Sequence, residues 1–542
     1  MTTVSLSHNT STQRLLPSRQ ELQPGRLLAS LEHGARSTPE KELLIAAESG
    51  ESLSYRQALA GLALLRRLFG PPPQRIMLAL PGGPLSGLIW LTALSSGYDL
   101  IPVPPAASAD EALRLLQRQH PDILCAADEG ESAWSGLPLP PELRLFGASR
   151  LKALISHATP PRQDLSSEEG HVYLSTSGST GEPKWLALGE RQIAWTAEQV
   201  RRSHALTGED RGLTTLPFFH INAPVVSLCA SLLAGASVIV APRFSRRRFW
   251  SWVERHEATW ISLVPTIVAF LLESEERPAF LPGRLRFARS ASAPLPPANL
   301  RAFEERFGIP LIETYGLSEA GSQVAANPLP PAEHKPGSVG RPTGVAMRIC
   351  APRPSGEPRD RGQVEEELRD LPPGEVGEIC IAGPNVIAAY EDGAGTASFQ
   401  GGWFRTGDLG YFDEDGYLFI KGRLREVINR GGENIAPREI EETLQEHPAV
   451  REVAVVGRPD PLYGEVVVAY LSLQEGRQLS VAELRSYARQ RLSPPRLPVD
   501  FLILPELPRN ATGKIDRRLL RMREQARRNL SQIVREEAAS QP

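Results

Sequence analysis

The sequence predicts an α/β protein, with doubly wound parallel sheets over most of its length, then a β-rich segment and a small α+β unit. Three observations predict it. Strand-like and helical runs alternate from residue 75 to about 313, the pattern of βαβ units. From Lys335 the chain turns to short strands punctuated by Gly337, Gly340, Gly344, Gly374, Gly377 and Gly383. Beyond Arg423, helices and strands of ordinary length return. At 542 residues the chain is too long for one core, and length suggests roughly three to four structural units.

Residues 1–25 are rich in Ser, Thr and Gln and predict a disordered segment. Helices are expected at 27–37 and 54–68. Residues 75–80 read as a strand, 85–94 as a buried helix, 98–103 as a strand, 109–119 as a helix and 122–126 as a strand. The apolar run 171–175 reads as a buried strand entering a turn. Next come a helix at 193–204, an extended stretch at 212–216 and a small-residue helix at 225–234. A strand at 237–241, a helix at 249–255 and a strand at 260–264, ended by Pro265, follow. The helix at 297–307 sets Leu300, Phe303 and Phe307 on one face. A strand at 310–313 then delivers Thr314-Tyr315-Gly316. The charged, Pro/Gly-rich stretch 352–373 predicts an exposed excursion. In the last unit Pro437 opens a helix to 446, with Ile440 and Leu444 one turn apart. Strands follow at 450–456 and 466–473, then a helix at 481–492 with Leu484, Tyr487, Ala488 and Leu492 inward. The Arg/Glu-rich end from Arg521 reads as a solvated helix or tail.

Composition excludes several classes of function. A net charge of −3 gives no footprint for nucleic acid. The four cysteines, Cys125, Cys229, Cys350 and Cys380, lack metal-ligand spacing and read as reduced, buried thiols of a cytoplasmic protein. The ten histidines form no zinc pattern. No apolar core marks the N-terminus as a signal peptide. Residues 76–98 carry no charge and approach bilayer length, but Pro81-Gly82-Gly83-Pro84 breaks the run into a strand, a turn and a buried helix. No transmembrane segment is expected.

Five segments carry chemistry. In Thr176-Ser177-Gly178-Ser179-Thr180-Gly181-Glu182-Pro183-Lys184, glycines and hydroxyls can turn N–H and O–H groups toward one anion. A polar surface turn has the same composition. It is no Walker loop, because Glu182-Pro183 separates Gly181 from Lys184. The second segment is Glu313-Thr314-Tyr315-Gly316-Leu317-Ser318-Glu319, after a strand, where an aromatic can stack on a base and a carboxylate can hold Mg²⁺. The third runs from Trp403 to Gly410. Asp408 in it is an acceptor-only carboxylate suited to a pair of hydroxyls, and Asp413 to Tyr417 after it reads as a hairpin turn. The fourth joins Gly422-Arg423-Leu424-Arg425-Glu426 to Asn429-Arg430-Gly431-Gly432-Glu433-Asn434. The fifth, Pro508 to Asp516, presents Lys514. Taken singly, the last two are as consistent with structural loops.

In this order and spacing the five segments resemble the adenylate-forming superfamily of acyl-CoA synthetases, peptide-synthetase adenylation domains and luciferases. The resemblance covers about residues 54–520. It implies an ATP-binding large lobe at 26–422, whose β-rich subdomain is about 335–422, a mobile C-terminal domain at 423–520 and a charged tail at 521–542. It implies that Thr176, Ser177, Gly178, Ser179, Thr180, Gly181 and Lys184 meet the ATP phosphates. Ser292, Ala293, Pro294, Thr314, Tyr315, Gly316 and Ser318 are implied for the adenine region, Glu319 for Mg²⁺, Asp408 and Arg423 for the ribose, and Lys514 for catalysis. The lobe would turn about Arg425 and bring Gly431, Gly432 and Glu433 to the thiol.

Several positions depart from the family pattern. Arg425 replaces the usual Asp or Lys, Ala291 and Ala389 replace Gly, and Ser318 replaces Thr. Trp185 and Glu190 stand where Gly and His are usual, and nothing in the sequence explains either. By family position Phe219, His220, Asn222 and Thr314 line the acyl pocket, with His220 a gate, a substrate contact or a structural histidine. No Asp in the Phe218–Ala223 stretch meets an α-ammonium group, which disfavours an amino acid. The runs Arg289 to Leu295, Asn327 to Pro330 and His334 to Gly340 resemble oxalate–CoA ligases and their relatives. CoA is therefore the favoured acceptor, with a carrier-protein phosphopantetheine arm the alternative partner, and the small-molecule carboxylic acid substrate is left open in identity and chain length. A regulatory protein without chemistry is disfavoured by Lys514 and Glu319. Oligomeric state is left open.

Overall fold

Alternating apolar strands and amphipathic helices build two sheets in the first of two units. A computed structural model describes residues 23–128, 133–176, 184–276, 278, 283–352, 368–391, 393, 395–509 and 514–527. The chain divides into residues 1–347 with 381–404, and residues 348–380 with 405–542.

The six-stranded sheet runs Arg144–Gly147, Ile123–Ala126, Arg75–Ala79, Asp99–Pro102, His171–Thr176, Lys184–Gly189. All neighbours are parallel except the last pair, which closes as a hairpin. The nine-stranded sheet runs Arg341–Pro342, Ser322–Ala326, Leu311–Leu317, Phe287–Ser290, Trp260–Leu263, Arg211–Thr214, Ser237–Val240, Glu42–Ala46, Ser52–Ser54. It is parallel from Leu311–Leu317 to Glu42–Ala46, with antiparallel strands at both ends.

Local chemistry sets the helix ends. Ser54 and Gln57 form a reciprocal capping box for Tyr55–Phe69. The helix Pro84–Ser95 is apolar all round and is buried from Leu85 to Ser95. This disposes of the uncharged run 76–98, which is a strand followed by a 12-residue helix. Among the described residues no helix is long and apolar enough to cross a membrane. All four cysteines are buried free thiols.

The second unit ends in a five-stranded sheet: Glu433–Ile435, Ile428–Arg430, Gly464–Leu473 and Val450–Asp460, with Asp500–Ile503 beside Gly464–Leu473. Alternation gives it two buried faces. Val453, Val455, Val467 and Ala469 pack with Ile440, Leu444 and Leu484 of the helices Pro437–Gln445 and Val481–Arg489. Ala454, Val456, Val468 and Tyr470 pack with Leu507 and Leu520.

Four expectations need correction. The helix expected at 225–234 is not one α-helix: Ala223–Cys229 is wound as a wider π-helix before Ala230–Ala234, next to the candidate pocket residues. Pro265 does not merely end a strand but starts the helix Pro265–Glu273, where its missing N–H costs nothing. The strand expected to end at Glu313 instead continues through Thr314-Tyr315-Gly316 to Leu317, against Ser322–Ala326. At Gly316 any Cβ would meet the Ser322 carbonyl oxygen at 2.0 Å. Finally, residues 517–527 are helical, and Glu524 is fully buried rather than solvated. Its carboxylate accepts from the Tyr470 hydroxyl and from Arg458 and Arg527. Of the 352–373 excursion, residues 353–367 lie outside the described residues.

Candidate active site

The first unit carries most candidate residues at or just past the carboxyl ends of its parallel strands, where open α/β sheets bind ligands. Thr176 and Lys184 are register partners at the mouth of the glycine-rich loop. Ser177, Gly178, Ser179, Thr180 and Gly181 lie outside the described residues. The Lys184 ammonium stands 4.9 Å from the Tyr390 ring centroid, a cation–π contact. The Tyr390 hydroxyl donates to Glu319 Oε1 at 2.8 Å. Lys184, Glu319 and Tyr390 thus form one group from three distant stretches of sequence.

The turn Ser318–Ala320 that presents Glu319 is pinned from behind. The Ala320 carbonyl accepts from Asn385 Nδ2 at 2.8 Å and from the Thr196 hydroxyl at 3.2 Å, and the Ile387 N–H donates to the Glu319 carbonyl at 2.8 Å. Asn385, Thr196 and Tyr390 were not singled out from sequence, because nothing local marks a residue that acts as a brace.

A second group lies across Phe287–Ser290 and Leu311–Leu317. Ser292 adopts φ +72, a left-handed conformation uncommon outside glycine and found at functional sites. Its hydroxyl accepts from Asn222 Nδ2 at 3.0 Å. Ala293 and Pro294 follow at the surface, and Glu313 fixes the segment's end by accepting the Leu295 N–H at 3.1 Å. Thr314 is buried, while Tyr315 and Ser318 are half-buried. Phe219 and His220 are half-buried with ring centroids 4.4 Å apart. Behind Asn222 and Thr314 sits Arg289, 1% exposed. Its guanidinium donates to Thr314 Oγ1 at 2.6 Å, Asn222 Oδ1 at 2.9 Å and Ser262 Oγ at 3.2 Å. Burial pushes it down to about 9, far below the usual arginine range. Sequence reading quoted Arg289 only as part of a motif; the signal was an arginine inside the strand Phe-Ala-Arg-Ser.

The remaining candidates belong to the second unit. Asp408 and Arg423 face each other across a strand pair, 3.0 Å apart, with Asp408 buried. Three residues upstream, buried Arg405 donates to Glu378 Oε2 at 2.7 Å, and the other Glu378 oxygen takes the Gly407 N–H at 3.1 Å. Lys514 shares the electrostatics of Asp408 and Arg423. Burial of its surroundings, then the Arg423 charge, push its ammonium down to about 8 against the pull of Asp408. The Lys514 side chain nevertheless keeps access to solvent. Arg425, also exposed, sits in the turn Leu424–Glu426, and its carbonyl accepts from Arg521 at 3.0 Å. Burial and Arg423 lower its pKa. Gly431 and Gly432, at φ +60 and +89, make the two-residue turn between Ile428–Arg430 and Glu433–Ile435, a geometry that requires positive φ twice.

The two positions that sequence left unexplained are structural. Trp185 packs in the core beside Met77, Leu116 and Trp134. Glu190 is fully buried, and its two oxygens accept the N–H groups of Gly25 at 2.9 Å and Leu27 at 3.0 Å.

With this geometry, likeness to known proteins can be placed. Residues 31–391 match the family model described as AMP-binding enzyme, and residues 439–514 that of the AMP-binding enzyme C-terminal domain. The chain is 37% identical over 502 residues to sulfoacetate–CoA ligase of Cupriavidus necator, covering 89% of this chain and 95% of that one. It is 38% identical over 359 residues to oxalate–CoA ligase of Arabidopsis thaliana, covering 65% and 67%. The Bacillus subtilis o-succinylbenzoate CoA synthetase, solved with its acyl-adenylate intermediate, matches with a TM-score of 0.75 at 28% identity, covering 92% of this chain and 98% of that one.

Proposed function

Because the chain belongs to the AMP-binding enzyme family, we propose that it joins a carboxylic acid to CoA at the expense of ATP, in two steps. A carboxylate is a poor acyl donor. Its oxygen first attacks the α-phosphorus of ATP, the bond to the bridging oxygen breaks, and pyrophosphate leaves an acyl-adenylate. The thiol of CoA then attacks the acyl carbon and AMP departs.

The observation that carries the reading is the group of Lys184, Glu319 and Tyr390 beside the mouth of the glycine-rich loop. It offers one cation and one oriented carboxylate to a polyphosphate. Among the described residues no cluster of three ligand-type side chains could cage a metal. A lone carboxylate suits Mg²⁺, which keeps waters and takes phosphate oxygens. Glu319 would hold it, and when bound it neutralises charge on the phosphates. Asp408 would accept the ribose hydroxyls, with Arg423 fixing its orientation. Lys514 would supply positive charge at the attacked phosphate, where catalysis is positioning plus electrostatics. Phe219, His220, Asn222 and Thr314 would receive the acid, and Gly431, Gly432 and Glu433 the thiol arm, with residues 423–520 moving about Arg425 between steps. The reaction would take place in the cytoplasm. The relatives' own names give different acids, so they support the reaction and leave the acid to the pocket.

The test is a pyrophosphate-release screen over carboxylic acids, with and without CoA. ATP- and Mg²⁺-dependent release is expected, strongly reduced in Lys514→Ala. Wild-type release by that variant would sink the assignment of Lys514. Turnover with a pantetheinylated protein and none with CoA would replace the acceptor.

A further inference from the structure

Resting on that reading, we propose that the acid activated here is short and carries a second anionic group, a carboxylate or sulfonate, selected by the buried charge of Arg289. The argument starts from an imbalance. A buried guanidinium is costly unless a counter-charge repays its desolvation. Arg289 is 1% exposed, and its hydrogen-bond partners are two hydroxyls and one amide, none of them charged. Its Nε–H is buried with no partner among the described residues. On the neighbouring strand, Glu313 pairs in register with Ser290, which turns its carboxylate to the other face of the sheet, where it takes the Leu295 N–H. His204, whose field Arg289 enters, is itself buried, and burial lowers its pKa far below the usual value, so it brings no compensating charge.

The hydrogen bonds also polarise the pocket. The guanidinium donates to both Asn222 Oδ1 and Thr314 Oγ1, and the Thr314 hydroxyl in turn donates to the Ser290 carbonyl at 3.4 Å, so what this pair can still offer a ligand is the second Nδ2–H of Asn222. Ser292, brought to Asn222 Nδ2 by its left-handed backbone, adds a hydroxyl whose own hydrogen is still to give. A wall of donors backed by a cation of low hydration is a receptor for an anion. It stands among the residues assigned to the acyl group. A reacting carboxylate accounts for only one negative charge, which the transfer to phosphate consumes. The buried cation calls for one that stays.

The experiment measures kcat/KM for pyrophosphate release with matched acids: malonate, succinate and sulfoacetate against propionate, butyrate and methylsulfonylacetate. In the wild type the anionic members are expected to lead by about 100-fold or more, since a site built for a polar group rejects the analogue lacking it. Arg289→Met should remove most of that lead, mainly through KM of the anionic acids, with a smaller loss for the neutral ones because Asn222 and Thr314 lose the donor they share. Arg289→Lys, which keeps the charge, should retain part of it. Equal use of both classes by the wild type, or equal losses for both in Arg289→Met, would overturn the inference and leave the adenylation reading standing. Release only with acids outside this short set would also overturn the inference, whereas no release with any carboxylic acid of the wider screen would remove both.

Discussion

Glu190 offers the most direct test of how the first unit is held. Its carboxylate reaches across 165 residues of sequence to the Gly25 N–H and, on the other oxygen, to the Leu27 N–H. These are orphan donors at the start of the helix Arg26–Ser37, whose cap residue is a glycine with no side chain to satisfy them. Replacing Glu190 by Ala strands two buried N–H groups, each costing about 1–3 kcal/mol. Part of this is returned, because burial pushes the Glu190 carboxyl up and its removal ends that penalty. A net loss of about 3 kcal/mol follows, or roughly 100-fold faster opening of the first helix. Glu190→Gln should recover little, since only one of its two polar atoms can accept and the other sets a donor against a donor. Hydrogen exchange of the peptides containing residues 25–31 reads this directly, with pyrophosphate release as a control for the rest of the unit. Exchange in Glu190→Gln within about threefold of wild type would refute the acceptor-only account, because that variant would then satisfy both donors.

Two further outcomes are expected. The Lys514 ammonium is the form that stabilises the attacked phosphate, and its pKa is lowered to about 8. The charged form is therefore present below that pH and lost above it. A pH profile of the adenylation step should decline through about pH 8, some two units earlier than an ordinary lysine dictates; a profile flat to pH 9.5 would contradict it. Glu378→Ala leaves the Arg405 guanidinium buried without its partner, for a loss of about 3–5 kcal/mol. A denaturant midpoint equal to wild type would show the pair to be dispensable.

How much of this was legible depended on where the deciding interaction lay. Helices whose apolar spacing and ends are local, such as Ala109–Gln119, Phe249–Arg255 and Pro297–Phe307, were read with their observed bounds. The strand Phe287–Ser290 was missed because arginine interrupts its apolar run, and only partners on two other strands and beyond Phe219 make that arginine tolerable. The burial of Glu524 was missed for a similar reason: a helix rich in Arg and Glu reads as solvated until Tyr470 and Arg458 are seen to meet that one carboxylate. The α/β class and the superfamily came through because they rest on repeated patterns and ordered motifs. Glu190 and Trp185 stayed opaque because their partners are core residues and backbone amides, which leave no motif.

The two buried faces of the C-terminal sheet bear on how Lys514 can behave. Both shoulders of its loop, Leu507 and Leu520, are rooted in the same core. The base is tied by the bridge between Arg509 and Ile515 and by the Asp516 N–H donating to the Pro508 carbonyl at 2.7 Å. The lysine's backbone therefore has little private motion. A ligand that needs the Lys514 ammonium beyond the reach of its own side chain must engage the sheet as a whole.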